Sequence, residues 1–132
     1  MERRAVAPRP DWRATAERMG FTFHHQDGQK YWEEGAYYAF SLDEVEQGIE
    51  GPSAELHGMC RALVDEVVGS DALMHRLAIP DDMRDVVAAS WKAHAPSLYG
   101  RFDFAFDGSG PAKLLEYNAD TPTSIFETAL FQ

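Results

Sequence analysis

Apolar and polar residues alternate most sharply in the last third of the chain, over Arg101–Phe106 and again over Ala112–Asn118. A strand's side chains point to opposite faces in turn, so Arg101 and Asp103 share one face and Phe102, Phe104 and Phe106 the other. Glu116 and Asn118 share a face in the second run, with Leu115 and Tyr117 opposite. Asp107-Gly108-Ser109-Gly110-Pro111 separates the runs and has the chemistry of a turn. The pattern predicts a β-hairpin. With Gly108 to Pro111 as its loop, Asp107 pairs with Ala112, Asp103 lies opposite Glu116 and Arg101 opposite Asn118. A slip of one residue would separate Asp103 from Glu116.

Helical periodicity dominates the middle. Leu56, Met59, Cys60, Leu63, Val64 and Val67 recur on one helical face, ended by Gly69-Ser70. Ser41 and Glu44 have capping-box spacing and open a helix toward Ile49, which Gly51-Pro52 breaks or kinks. After Pro80, Asp81 or Asp82 caps a helix striped by Met83, Val86, Val87, Ser90, Trp91 and His94 and closed by Pro96. Earlier, Asp11 caps a short helix carrying Trp12, Ala16 and Met19 and stopped at Gly20. Phe21–His24 and Lys30–Trp32 flank Gln26-Asp27-Gly28-Gln29, a second hairpin signal. Residues to Pro10 read as a loose arm, and Tyr37–Phe40 as an aromatic piece of core. Ser124 and Glu127 repeat the capping-box spacing, so Ile125–Gln132 should be a helix. The class is α/β, or mixed α+β, with β-hairpins and a central helical segment.

Composition narrows this picture. The 132 residues suffice for one domain with a core, and 45% hydrophobic with 26% charged residues is globular. A net charge of -10 argues against a general nucleic-acid binder and suits a cationic ligand such as a polyamine. One cysteine excludes an intrachain disulfide. No apolar run can span a membrane, and Met1-Glu2-Arg3-Arg4 lacks a secretory apolar stretch, so the expectation is a cytoplasmic protein.

The hairpin carries the candidate chemistry. Asp103 and Glu116, opposed at about 5 Å between Cβ atoms, repel unless a cation lies between them. Arg101 supplies one, and a divalent metal could supply more. Two carboxylates, the Asn118 carbonyl and waters suit magnesium. The Thr/Ser/Pro segment that follows could open a helix whose amides attract phosphate. Together they suggest a nucleotide–metal site. A sheet edge with solvated charges would show the same alternation.

Gly20-Phe21-Thr22-Phe23-His24, Tyr31-Trp32-Glu33-Glu34, Tyr99-Gly100-Arg101-Phe102-Asp103 and Leu114 through Ser124 resemble the glutathionylspermidine synthase family over most of the chain. The resemblance implies an ATP-grasp type carboxylate–amine ligase, with ATP and Mg2+ as cofactors and an acyl-phosphate intermediate. Its substrates would be a glutathione-like peptide carboxylate and a polyamine or other amine. Position by position, Arg101 matches an arginine that contacts phosphates and the reacting carboxylate. Asp103, Glu116 and Asn118 match magnesium ligands. Thr121 and Thr123 fall where small hydroxyl residues adjoin glutathione. The chain then reads as a single domain, residues 1–132, the amino-terminal part of a longer ligase cut in the helix after the hairpin. It would lack the nucleotide-clamping lysines and be inactive alone. A non-catalytic ligand- or partner-binding fragment of that fold is the alternative, and a metal-dependent hydrolase ranks last.

Other residues read as structural. His24 and His25, on opposite faces of a strand, would not share a metal. Cys60, His94 and the tryptophans read as packing residues. Asp81-Asp82 reads as a cap, Glu33-Glu34 as a solvated pair and Asp120 as structural support.

Overall fold

The computed structural model describes residues 1–120 and 122–132. Strands β1 (Glu2–Ala5) and β4 (Ala36–Ala39) form one antiparallel pair, and β2 (His25–Gln26) and β3 (Gln29–Lys30) form another. The third pair is β5 (Arg101–Ala105) with β6 (Lys113–Asn118). The α-helices among the described residues are α1 (Trp12–Arg18), α2 (Leu42–Val45), α3 (Gly51–Val68), α4 (Asp71–Arg76) and α5 (Arg84–Lys92), with a 3-10 turn over Asp81–Met83 and a terminal π turn over Glu127–Phe131. The fold is mixed α/β, with three two-stranded antiparallel sheets and a central helical segment.

The expected capping box opens α2: Ser41 Oγ accepts from Glu44 N, and Glu44 Oε2 accepts from Ser41 N at 2.7 Å. Pro52 has no N–H to offer the carbonyl four residues back, that of Gly48. The helix accordingly widens to a π segment over Glu46–Glu50 before α3 begins. Gly48 O accepts instead from Ala112 N at 2.8 Å, just before β6. A Cβ at Gly48 would also meet the Phe106 ring at 2.8 Å. The predicted break thus becomes the place where the helical segment grips the hairpin.

That grip explains the one departure in register. Arg101 faces Asn118, Phe102 faces Tyr117 and Asp103 faces Glu116, as expected. Phe104 then faces Leu114 and Ala105 faces Lys113, so Leu115 is the extra residue of a bulge. Leu115 is exposed rather than sharing a packed face with Tyr117. The Asp107–Ala112 pair does not form, because Ala112 N is committed to Gly48 and Asp107 accepts from Ser109 N and Oγ.

The core is aromatic. Ala16, Phe21 and Phe131 are buried together, and Trp12, Trp32 and Phe126 pack around them. This joins α1, the segment before β4 and the terminal turn. The turn has fewer residues than a stable isolated helix needs, and Phe131 anchors it. Helix α3 packs on α4 and α5, burying Val67 and Met74, while Met59 and Leu63 remain exposed.

Other expectations are corrected. Residues before Pro10 include a strand rather than a loose arm. Tyr37 and Tyr38 are 49% and 57% exposed, not core, because β1–β4 is a lone two-stranded ribbon. The second hairpin has only two residues per strand, and Phe21–His24 lies outside it; Asp27 and Gly28, both at positive φ, make the tight turn. Asp11 sits left-handed and makes no side-chain cap, though Gly20 at φ +88 does end α1. Neither Asp81 nor Asp82 caps a helix; Asp81 pairs with Arg84 at 2.6 Å. His94 is exposed at positive φ, past the end of α5. Helix α4, which Ser70 caps, escaped the periodicity because it is so short.

Candidate functional site

Strand alternation and the cross-strand register bring Arg101, Asp103, Glu116 and Asn118 onto one face, where the alternation had put them. On the other face Phe102 lies against Tyr117, ring centroids 4.1 Å apart, and stacks with Phe104 at 5.7 Å. Gly100 permits this packing: a Cβ there would stand 2.6 Å from the Tyr117 ring. The aromatic side therefore holds the backbone from which the charged side projects.

Arg101 is the hub. Its Nε and Nη2 donate to the two Asp103 oxygens at 2.6 and 3.1 Å. Its Nη1 donates to Thr123 Oγ1 at 2.8 Å. The guanidinium holds the Asp103 carboxyl below the usual carboxylate range. Asp103 chiefly, with Glu116 adding a weaker Coulombic pull, keeps Arg101 charged. Glu116 is exposed and Asn118 half-buried. Thr123 joins the cluster through Arg101, while Thr121 lies outside the described residues. The loop between hairpin and terminal turn is pinned by Tyr99 Oη donating to Pro122 O at 2.6 Å.

Two residues in the neighbourhood carry no periodic signal. Tyr31 Oη donates to Glu127 Oε1 at 2.6 Å, and Glu127 is only 6% exposed. The bond to Glu127, then burial, push the Tyr31 phenol above its ordinary range. Glu127 does not complete the expected capping box: Ser124 sits at positive φ, and the Glu127 carboxylate is taken by a tyrosine 96 positions away. No local pattern announces such a partner. Tyr31, Tyr99, Thr123 and Glu127 border a cavity of 580 Å³.

The remaining candidates resolve as follows. Glu33 is exposed and pairs with Lys30 at 2.8 Å, but Glu34 is buried, accepting from the Arg9 guanidinium and from Trp32 Nε1. The pair is thus half solvated, not wholly. His24 precedes β2, so strand alternation does not part it from His25, and their Nδ1 atoms lie 2.8 Å apart. Cys60 is half-buried and lines a second cavity of 410 Å³ with Trp91 and Tyr117. Among the described residues, no three His, Cys, Asp or Glu side chains are grouped to hold a metal. None of their helices is long and apolar enough to cross a membrane.

Comparison with known proteins gives the chain's family. The Glutathionylspermidine synthase preATP-grasp family matches residues 3–132. The chain belongs to this family. A Haemophilus influenzae protein named a putative acid–amine ligase is 38% identical over 128 residues, covering 94% of this chain and 32% of its own length. Glutathionylspermidine synthase of Crithidia fasciculata is 27% identical over 83% of the chain and 15% of itself. Trypanothione synthetase of the same organism is 29% identical over 59% of the chain and 12% of itself. The preATP-grasp chain thus spans no more than about a third of these relatives. Arg101, Asp103, Glu116 and Asn118 all fall inside the matched region.

Proposed function

We propose that this chain is the amino-terminal part of an ATP-dependent carboxylate–amine ligase and carries its magnesium–nucleotide hairpin. The observation that carries the reading is the cross-strand opposition of Asp103 and Glu116, with Arg101 bonded to Asp103 and Thr123. Opposed carboxylates destabilise a ladder unless positive charge offsets them. Membership in a family whose relatives are named ligases supports the same reading.

Asp103, Glu116 and Asn118 offer hard oxygen donors without thiolate or imidazole, which fits magnesium rather than zinc. They are too few to fill its shell, so phosphate oxygens, water or residues outside this chain would complete it. Bound there, the ion would neutralise phosphate charge. Arg101 adds a fixed cation beside the reacting groups, and positioning supplies most of the remainder. In the reaction the γ-phosphoryl group passes to a peptide carboxylate, releasing ADP. An amine then attacks the acyl phosphate, forming the amide and expelling phosphate. Thr123, held by Arg101, and Thr121 would adjoin the peptide.

One observation favours a second reading, a binding module without metal: Arg101 already satisfies both oxygens of Asp103. Two measurements, substrate-dependent ADP release and Mg-ATP affinity, separate the two readings. ADP release by the complete ligase is measured with Mg-ATP, glutathione and spermidine, singly and together. The ligase reading expects release only with both substrates, and weaker Mg-ATP binding in Asp103→Asn and Glu116→Gln. Unchanged, magnesium-independent nucleotide affinity in both folded variants would overturn it.

A further inference from the structure

The cavity of 410 Å³ lies where α3 and α5 meet the ends of β5 and β6, and its charge is unusual for this chain. Asp and Glu make up 22 of the 132 residues, yet among the described residues none lines it. Hydrogen-bond donors line it instead: Arg61 and His57 on α3, Ser97 and the Tyr117 hydroxyl. Val64 and Trp91 contribute apolar wall. Among the described residues no carboxylate lies within ion-pairing distance of Arg61. Asp65, one turn further along α3, accepts from Trp91 Nε1 and does not line the cavity. That bond orients the indole, and the Arg61 guanidinium carbon lies over it, 5.2 Å from the ring centroid. Stacking uses the face of a guanidinium and leaves its N–H edges to pair in plane with a carboxylate. Apolar walls with a few convergent polar groups, at this volume, suit a small organic ligand.

We propose that this cavity binds a flat organic carboxylate, its anionic end paired with Arg61 and its body among Val64, Trp91 and Tyr117. The site is distinct from the charged face of the hairpin: Tyr117 projects from β6 on the side opposite Glu116 and Asn118. It stands on the cavity and on Arg61, and it holds whether or not the chain belongs to a ligase that binds Mg-ATP.

The test is calorimetric titration of the 132-residue chain with three indoles that differ in one group: indoleacetate, indoleacetamide and tryptamine. A chain of net charge -10 repels the acetate and attracts tryptamine at long range, so a preference for the acetate requires a local cation. Indoleacetate should bind about tenfold or more tighter than either of the others, and Arg61→Met should lose a similar factor. Arg13→Met removes a guanidinium stacked in the same way, 5.3 Å from the Trp12 ring but outside this cavity, and should bind as the parent does. In amide NMR spectra, Arg61, Gly100 and Tyr117 should shift together on adding the acetate. Equal or tighter binding of the amide or of tryptamine overturns the site, whether or not Arg61→Met folds. So does undiminished binding by folded Arg61→Met, an equal loss in Arg13→Met, or acetate binding weaker than about 1 mM. Asp103→Asn and Glu116→Gln should leave acetate affinity unchanged, so failure of the ligase reading is distinguishable from failure of this site.

Discussion

Glu34→Ala should destabilise the chain more than any other single carboxylate removal outside the hairpin. The side chain accepts from Arg9 Nη2 at 3.1 Å and Trp32 Nε1 at 2.6 Å, and pairs with Arg9 Nε. Breaking a fully buried pair costs about 3–5 kcal/mol, because the remaining charge is stranded. Arg9 is about half exposed, so its guanidinium rehydrates and much of that penalty falls away. The lost acceptor for Trp32 adds about 1 kcal/mol. The net expectation is about 2–3 kcal/mol. Followed by Trp fluorescence in urea, this lowers the midpoint by about 1 M for a slope near 2 kcal/mol/M. Arg9 also donates to Phe131 O and lies over the Phe131 ring, so the loss should loosen the terminal turn as well. A double-mutant cycle with Arg9→Met should return a coupling of about 1 kcal/mol or more. Arg9 holds the Glu34 carboxyl below its ordinary range, so the contribution is complete above about pH 4.5 and fades as pH falls through the folded value. A Glu34→Ala chain within about 0.5 kcal/mol of the parent at pH 7 would refute this account.

Gly48→Ala tests the grip between helix and hairpin. Helix propensity alone would stabilise the variant by about 1 kcal/mol, but overpacking against Phe106 costs about 1–3. Net destabilisation in urea is expected, and relief of it in the Gly48→Ala/Phe106→Leu double variant. Phe131→Ala should cost about 3 kcal/mol and speed amide exchange over Glu127–Phe131, because that ring anchors the turn in the aromatic core. Unchanged exchange there would mean the turn holds itself.

The hairpin and its charged face were legible because strand alternation is local: strands over Arg101–Ala105 and Lys113–Asn118 put Arg101 with Asp103 and Glu116 with Asn118, and the turn chemistry between them sets the register. The capping box at Ser41 and the stop at Gly20 were legible for the same reason, each depending on residues within one helical turn. Less legible were features decided by what faces an element. Tyr37 and Tyr38 look like core, yet exposure depends on whether another layer covers the ribbon. Ser124 and Glu127 carry a capping spacing, but Tyr31 competes for the carboxylate.

Sequence by itself thus determined the longer helices, the site hairpin and which side chains of each strand share a face, since each follows from backbone periodicity and side-chain chemistry within a few residues. Tertiary structure alone decided the rest. The Gly48 carbonyl, left without Pro52's N–H, takes Ala112 and shifts the far end of the ladder. The aromatic core draws Phe131 in from the end of the chain. The same closure carries Glu127 out of water beside Tyr31. Such outcomes turn on which distant groups meet, and the desolvation that gives them their energy exists only after the chain has closed.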